Sequence, residues 1–173
     1  MNLNNEYLAG LLDGEAWFGI SIQKAGMAGG RTRYLPQCRL VNTHIEILTA
    51  IREKYNAGQG LMKTAKSTGY KDVYHVRFYG IALRNLLADV LPFLIIKKDV
   101  ALIVLECLNS MTLGKGRTKR TTDAQLEYRR QLYLQTRKIN SYCSNKPYVP
   151  TEANMPVMEA GRLFKPTPPK DSE

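Results

Sequence analysis

The sequence predicts an α+β domain in which two antiparallel hairpins alternate with helices, and three observations carry that expectation. An apolar run with helical spacing at the N-terminus stops near Gly14 and passes at once into strand-like alternation from Trp17. Two pairs of alternating segments follow, with a helical stretch between the pairs. After the second pair, apolar residues recur at helical spacing to about Asn140. The order is helix, hairpin, helix, hairpin, helices.

Each element has its own warrant. The first helix runs from Leu3 to Gly14, with Asn4 or Asn5 as its cap and Glu6 suiting its first turn. In the first strand Phe18, Ile20 and Ile22 face a core, and Gly19, Ser21 and Gln23 face away. A loop with Gly26, Gly29 and Gly30 leads to a second strand, where Arg31, Arg33, Leu35, Gln37 and Arg39 share a face. Pro36 in this strand points to an edge or a bulge. Thr43 and Glu46 have the spacing of a capping box for a second helix, with Ile45, Ile47, Leu48, Ile51 and Tyr55 on its core side and Gly58 as its stop. Strands around 60–66 and 72–79 follow, joined through Ser67, Thr68 and Gly69; in the latter, Tyr74, Val76 and Phe78 alternate with Val73, His75 and Arg77. Ile81–Leu91 reads as a helix closed by Pro92, and Lys97–Asn109 as another, apolar through Val100, Ala101, Ile103, Val104 and Leu108. Thr122 and Gln125 form a capping box for a last helix. Beyond Asn140 apolar residues thin out and six of the eight prolines gather, from Pro147 to Pro169. The expected organisation is therefore a domain over 1–140 and a proline-rich tail over 141–173 that wraps the surface or stays partly disordered.

Composition narrows the function. A chain of 173 residues holds one domain with a proper core. No apolar run approaches the roughly 18 residues of a membrane span, and the N-terminus lacks the pattern of a signal peptide. A soluble intracellular protein with no membrane partner is expected, in the cytoplasm, the nucleoid or an organelle. Cys38, Cys107 and Cys143 are odd in number and far apart, and with only His44 and His75 beside them no zinc spacing appears. Reduced thiols, two of them in the core, are expected. Against 15 acidic side chains stand 25 basic ones, a net charge of +10, which favours a polyanionic partner.

The most unusual stretch is Leu8, Ala9, Gly10, Leu11, Leu12, Asp13, Gly14, Glu15, Ala16. Gly10 and Gly14 lie four apart and so share a helix face, at a cost of about 1 kcal/mol each. What they offer is close approach of another backbone. Asp13 and Glu15 stand at the helix C-terminus, where the dipole disfavours carboxylates. A divalent cation held between carboxylate and helix-end carbonyls would account for them, because hard cations take oxygen ligands.

This run resembles the LAGLIDADG motif of homing endonucleases position by position, with Leu12 for Ile, Gly14 for Ala, Glu15 for Asp and Ala16 for the final Gly. The order of elements over about Asn4 to Asn140 is similar to the αββαββα arrangement of a single LAGLIDADG domain. The resemblance implies a saddle-shaped antiparallel sheet followed by C-terminal helices. It also implies a site-specific double-strand DNA endonuclease, group I intron-encoded, that hydrolyses phosphodiesters with Mg2+ or Mn2+. Such an enzyme cuts across the minor groove of a long near-palindromic site. Only one motif is present, so the resemblance further implies a homodimer whose motif helices pack through Gly10 and Gly14.

Residue by residue, Glu15 matches the family's metal-binding acid, and the Gly14 carbonyl would be a second ligand. Asp13 matches a position that serves structure at the helix end. Asn42 matches the place of a Gln or Asn that orients water, and Lys97 that of a lysine stabilising charge near the scissile phosphate, with Lys98 its substitute if the register slips. Glu46 departs from relatives that carry a basic residue there. A two-stranded ribbon fits the major groove, where Arg, Gln and Asn read base edges. The expected readers are Ser21, Gln23, Arg31, Arg33, Gln37 and Arg39 on the first hairpin and Lys63, His75 and Arg77 on the second. Lys115, Arg117, Lys119 and Arg120 are expected on phosphates. Polar alternation alone would predict a solvated sheet face equally well; the bias toward Arg, Lys and Gln favours DNA. The alternative is a non-cleaving RNA maturase or DNA-binding regulator, which loss of the acidic motif residue would mark; Glu15 is present.

Overall fold

In the computed structural model, residues 3–23, 32–57, 61–64, 72–111 and 121–142 are described. The first of their elements, α1 (Asn5–Glu15), is capped by Asn4, whose side-chain oxygen accepts the Tyr7 N–H at 2.8 Å. Ala16 ends the helix in an extended conformation and opens β1 (Ala16–Gln23) without a loop. β2 (Arg33–Asn42) returns antiparallel to it, α2 (Ile45–Lys54) follows, and β3 (Met62–Thr64) and β4 (Val73–Phe78) form the second hairpin. Three helices complete the fold: α3 (Gly80–Val90), α4 (Lys98–Asn109) and α5 (Asp123–Tyr142).

The four strands form one antiparallel sheet in the order β1-β2-β4-β3. Both hairpins therefore join through their second strands, and β2 lies inside the sheet rather than at its edge. Pro36 is still consistent with its chemistry. β4 pairs with β2 only over Cys38–Asn42, so Pro36 opposite Ile20 sits where β2 has β1 alone for a neighbour.

Strand parity separates the two faces. Phe18, Ile20, Cys38, Leu40, Val76 and Phe78 are fully or almost fully buried against the helices. Below them lie Leu8 and Leu12 of α1, Leu48 and Ile51 of α2, Leu83, Leu86 and Leu87 of α3, and Val100, Val104 and Leu108 of α4. α5 closes this layer on β1 and β2, where Tyr133 meets Tyr34 with ring centres 6.0 Å apart and the Asn140 amide donates to the Phe18 carbonyl at 3.0 Å. The Cys38 and Cys107 thiols are buried; burial pushes Cys107 up to about 12 and Cys38 higher still, so both are unreactive.

Three local expectations are corrected. The cap of α2 is His44 without a side-chain bond, and the chain enters the helix through an Asx turn in which Asn42 Oδ1 accepts the His44 N–H at 3.0 Å. α2 ends at Lys54 and is closed through Asn56, ahead of Gly58. Asn56 is the one described non-glycine residue with positive φ, 48°. The Asn56 N–H bonds the Glu53 carbonyl and the Ala57 N–H bonds the Arg52 carbonyl, which is a Schellman motif. Ile22 and Ile45 are each 37% exposed instead of buried, because each lies at the end of its element beyond the packed layer. The Thr122–Gln125 box forms as its spacing requires, with reciprocal bonds of 3.1 and 3.2 Å. Gly58, the glycine loop, the proline-rich tail and Cys143 lie outside the described residues.

Candidate functional site

The direct passage from α1 into β1 fixes the site. No loop separates them, so Glu15 is the last helical residue and Trp17 the second of the strand, and the helix end opens onto the sheet face that no described helix covers. Leu8, Ala9 and Leu12 turn inward, while Gly10, Gly14 and Glu15 are exposed.

Asp13 has two jobs for which the sequence gives only half a hint. Its Oδ2 accepts the Ile95 and Ile96 N–H groups at 2.8 and 3.2 Å, and its Oδ1 accepts that of Lys97 at 2.9 Å. The carboxylate thus satisfies backbone donors leading into α4, where negative charge also suits the helix dipole. By doing so it clamps the α4 start to the end of α1. The Lys97 ammonium then reaches over that helix end, donating to the Leu12, Gly14 and Ala16 carbonyls at 3.0, 3.3 and 2.6 Å. The Lys97 ammonium therefore sits among the carbonyls around the end of α1, where the helix dipole favours positive charge.

These contacts test the fit of a divalent ion. Glu15 offers an exposed carboxylate and Gly14 a carbonyl, both hard oxygen donors of the kind Mg2+ takes. Among the described residues no group of three His, Cys, Asp or Glu comes together. Among the described residues these two oxygens fit such an ion only as part of a larger ligand set.

From Glu15 an open depression of about 700 Å³ extends over the sheet, lined by Glu15, Ala16, Trp17, Ser21, Gln37, Arg39, Val41, Arg77 and Tyr79. Register explains the lining. Trp17, Arg39 and Arg77 are direct partners across β1, β2 and β4, and Gly19 with Gln37 forms the next row. Ser21 opposite Leu35 and Gln23 opposite Arg33 continue away from the helix end. The Arg39–Arg77 pair sets like charges opposite each other, an arrangement that disfavours the isolated sheet and favours an anionic partner.

Not every expected reader takes its place on this face. Lys63 is opposite Tyr74, on the parity of Val76 and Phe78, and pairs with Asp72 at 2.6 Å, so it points away from Arg39 and Arg77. The one-residue parity of the short β3 decides this, and the sequence shows no register for it. His75 has the right parity but is only 6% exposed, with both ring nitrogens lacking partners among the described residues. Burial first, and then Arg39 and Arg77, push its pKa down and favour the neutral ring. Asn42 has the parity of Leu40 and spends its side-chain oxygen on the turn into α2, outside the residues that line the depression. Arg31, Lys115, Arg117, Lys119 and Arg120 lie outside the described residues. Ala16, Trp17, Val41 and Tyr79 line the depression and were not among the expected site residues. The alternation that singled out Gly19 and Ser21 already places Trp17 beside them.

A scan of protein-family models finds no match, and a search of curated proteins finds none either. Solved structures do resemble the chain. The archaeal intron-encoded homing endonuclease I-Vdi141I, complexed with DNA, is 24% identical and covers 87% of this chain and 89% of its own, with a TM-score of 0.62. The homing endonuclease I-CvuI in complex with its target is 18% identical over 83% of this chain and 85% of its own, with a TM-score of 0.60. The homing endonuclease I-TnaI is 20% identical over 83% of this chain and all of its own, with a TM-score of 0.57. The fold is therefore the α+β fold of single-motif LAGLIDADG homing endonucleases, and the resemblance carried by Leu8–Ala16 agrees with it.

Proposed function

We propose that this protein is a site-specific endonuclease that cuts double-stranded DNA as a homodimer with a divalent metal, and that it acts in intron homing. The observation that carries the reading is the Glu15 carboxylate at the open end of α1, where the Lys97 ammonium bonds the neighbouring Gly14 carbonyl and the depression extends over Arg39 and Arg77. I-Vdi141I and I-CvuI, which share the fold, are described in complex with DNA, and I-CvuI was studied with Mg and with Ca.

Glu15 and the Gly14 carbonyl would hold the ion. Mg2+ or Mn2+ so bound would lower the pKa of a water and offset charge on the phosphate oxygens. Lys97 brings a fixed positive charge to the same helix end, held there by Asp13 through the backbone of residues 95–97. The sheet row orients the duplex so that one phosphate faces Glu15.

A second copy accounts for the bare side of α1. A Cβ at Gly10 or Gly14 would meet nothing within 4 Å, and Tyr7 on the same side is 53% exposed. Ile95 and Ile96, which Asp13 fixes beside the helix end, stand 85% and 76% exposed. Two such helices packed through their glycines would bring two Glu15 carboxylates together and complete the ligand set that one chain lacks.

The test is cleavage of a randomised duplex library with Mg2+, wild type beside Glu15→Gln. Sequence-specific double-strand cuts by the wild type are expected, reduced more than about a hundredfold in Glu15→Gln with binding retained. Specific binding without cutting under any divalent ion would instead favour the non-cleaving regulator or maturase.

A further inference from the structure

The row nearest Glu15 contains one side chain that hydrogen bonding does not explain. Trp17 is 37% exposed on the face that also carries Ser21, Gln23, Arg33, Gln37, Arg39 and Arg77, with the smaller apolar Leu35 and Val41 further along β2. Its six-membered ring leans along β1 over Gly19: a Cβ built at Gly19 would stand 2.3 Å from Trp17 Cζ2 and 2.6 Å from Cη2. Gly19 therefore has no side chain because the indole already fills its place. One apolar ring replaces two positions where β1 would otherwise carry readers, directly across from Arg39 and Gln37.

A bare polar sheet would gain nothing from this arrangement. Among the described residues nothing covers the part of the Trp17 ring that stays exposed, and the glycine costs strand stability. A base edge pressed on the ring loses its hydrogen bonds to water without recovering them, so polar edges are disfavoured there. The apolar group that the major groove offers is the C5-methyl of thymine. Resting on the DNA-endonuclease reading above, we infer that Trp17, seated on Gly19, selects thymine by its methyl group at the base steps beside the cleavage centre, while Arg39 and Arg77 read the neighbouring acceptor edges. Apolar and charged readers in one row make recognition near the cut a matter of methyl position as well as hydrogen bonding.

The experiment begins with the full chain selecting duplexes from a randomised library in EDTA. Each thymine of the selected site is then replaced singly by uracil, which removes only the methyl, and affinity is measured by fluorescence anisotropy. Replacement at thymines flanking the centre should weaken wild-type binding about fourfold per methyl, with smaller effects further out. Trp17→Ser should show less than about twofold sensitivity at the same thymines. Gly19→Ala keeps the tryptophan but displaces its ring, and should lose the same sensitivity while retaining discrimination at the outer positions, which also reports that it is folded. Uracil tolerated at every central position, or sensitivity preserved in Trp17→Ser, would overturn the assignment and leave the endonuclease reading standing. Recovery of no preferred duplex at all would overturn both.

Discussion

Asp13 and His75 are the residues whose roles depend most on neighbours remote in sequence. Asp13 accepts three backbone N–H groups from residues 95–97, so Asp13→Ala should destabilise the protein by about 2 kcal/mol in urea unfolding, the scale of a lost helix cap with further donors left bare. Because the same clamp places Lys97, cleavage at saturating DNA should fall further than stability explains, with DNA affinity little changed. His75 is held neutral by burial and by Arg39 and Arg77, so its folded pKa lies below the unfolded value near 6.5. Below that value the unfolded chain takes up the proton more readily, and stability is lost as pH falls from about 7 toward 5. His75→Phe should flatten that part of the stability–pH curve, measured as the urea midpoint at each pH. A wild-type curve unchanged by the substitution would show that other groups carry the dependence.

At the scale of elements, the chain's stops and starts are local chemistry that the sequence shows in part. The Thr122–Gln125 box could be read directly because both partners lie within one turn and bond each other reciprocally. Thr43 and Glu46 have the same spacing, yet Asn42 and His44 form the entry to α2, because Asn42 ends a strand pinned by pairing with β4. Asn56 rather than a glycine supplies the left-handed residue that closes α2. Asn56→Gly should be neutral or raise stability slightly, and Asn56→Ala should cost about 1 kcal/mol, both read from thermal unfolding. Equal effects of the two substitutions would show that strain at this residue is not what matters.

For the whole molecule, the bare glycine side of α1 is what the proposed dimer rests on. Gly10→Phe should leave the monomer folded, because space around that position is open, and should abolish the dimer in sedimentation. Cleavage should be lost with it. A dimer that persists in Gly10→Phe would place the contact elsewhere on the surface. The sheet order matters here as well. Joining the hairpins through β2 and β4 brings Arg39 beside Arg77, residues far apart in the chain, and sets both within the depression that begins at Glu15.

The sequence by itself determined the order of elements, the core face of each strand and the carboxylate that ends α1. These follow from hydrophobic period and from residue chemistry within a few positions, which act before the chain is folded. Tertiary structure alone decided which residues of different elements meet. The three-residue β3 has too few side chains to declare its parity, so Lys63 turns to Asp72. Asp13 finds its donors in residues 95–97 and Lys97 finds the α1 carbonyls, because packing of α1 against α3 brings the segment after α3 to the end of α1. Such contacts are set by how the layers close, and pairwise chemistry read along the chain carries no record of that distance.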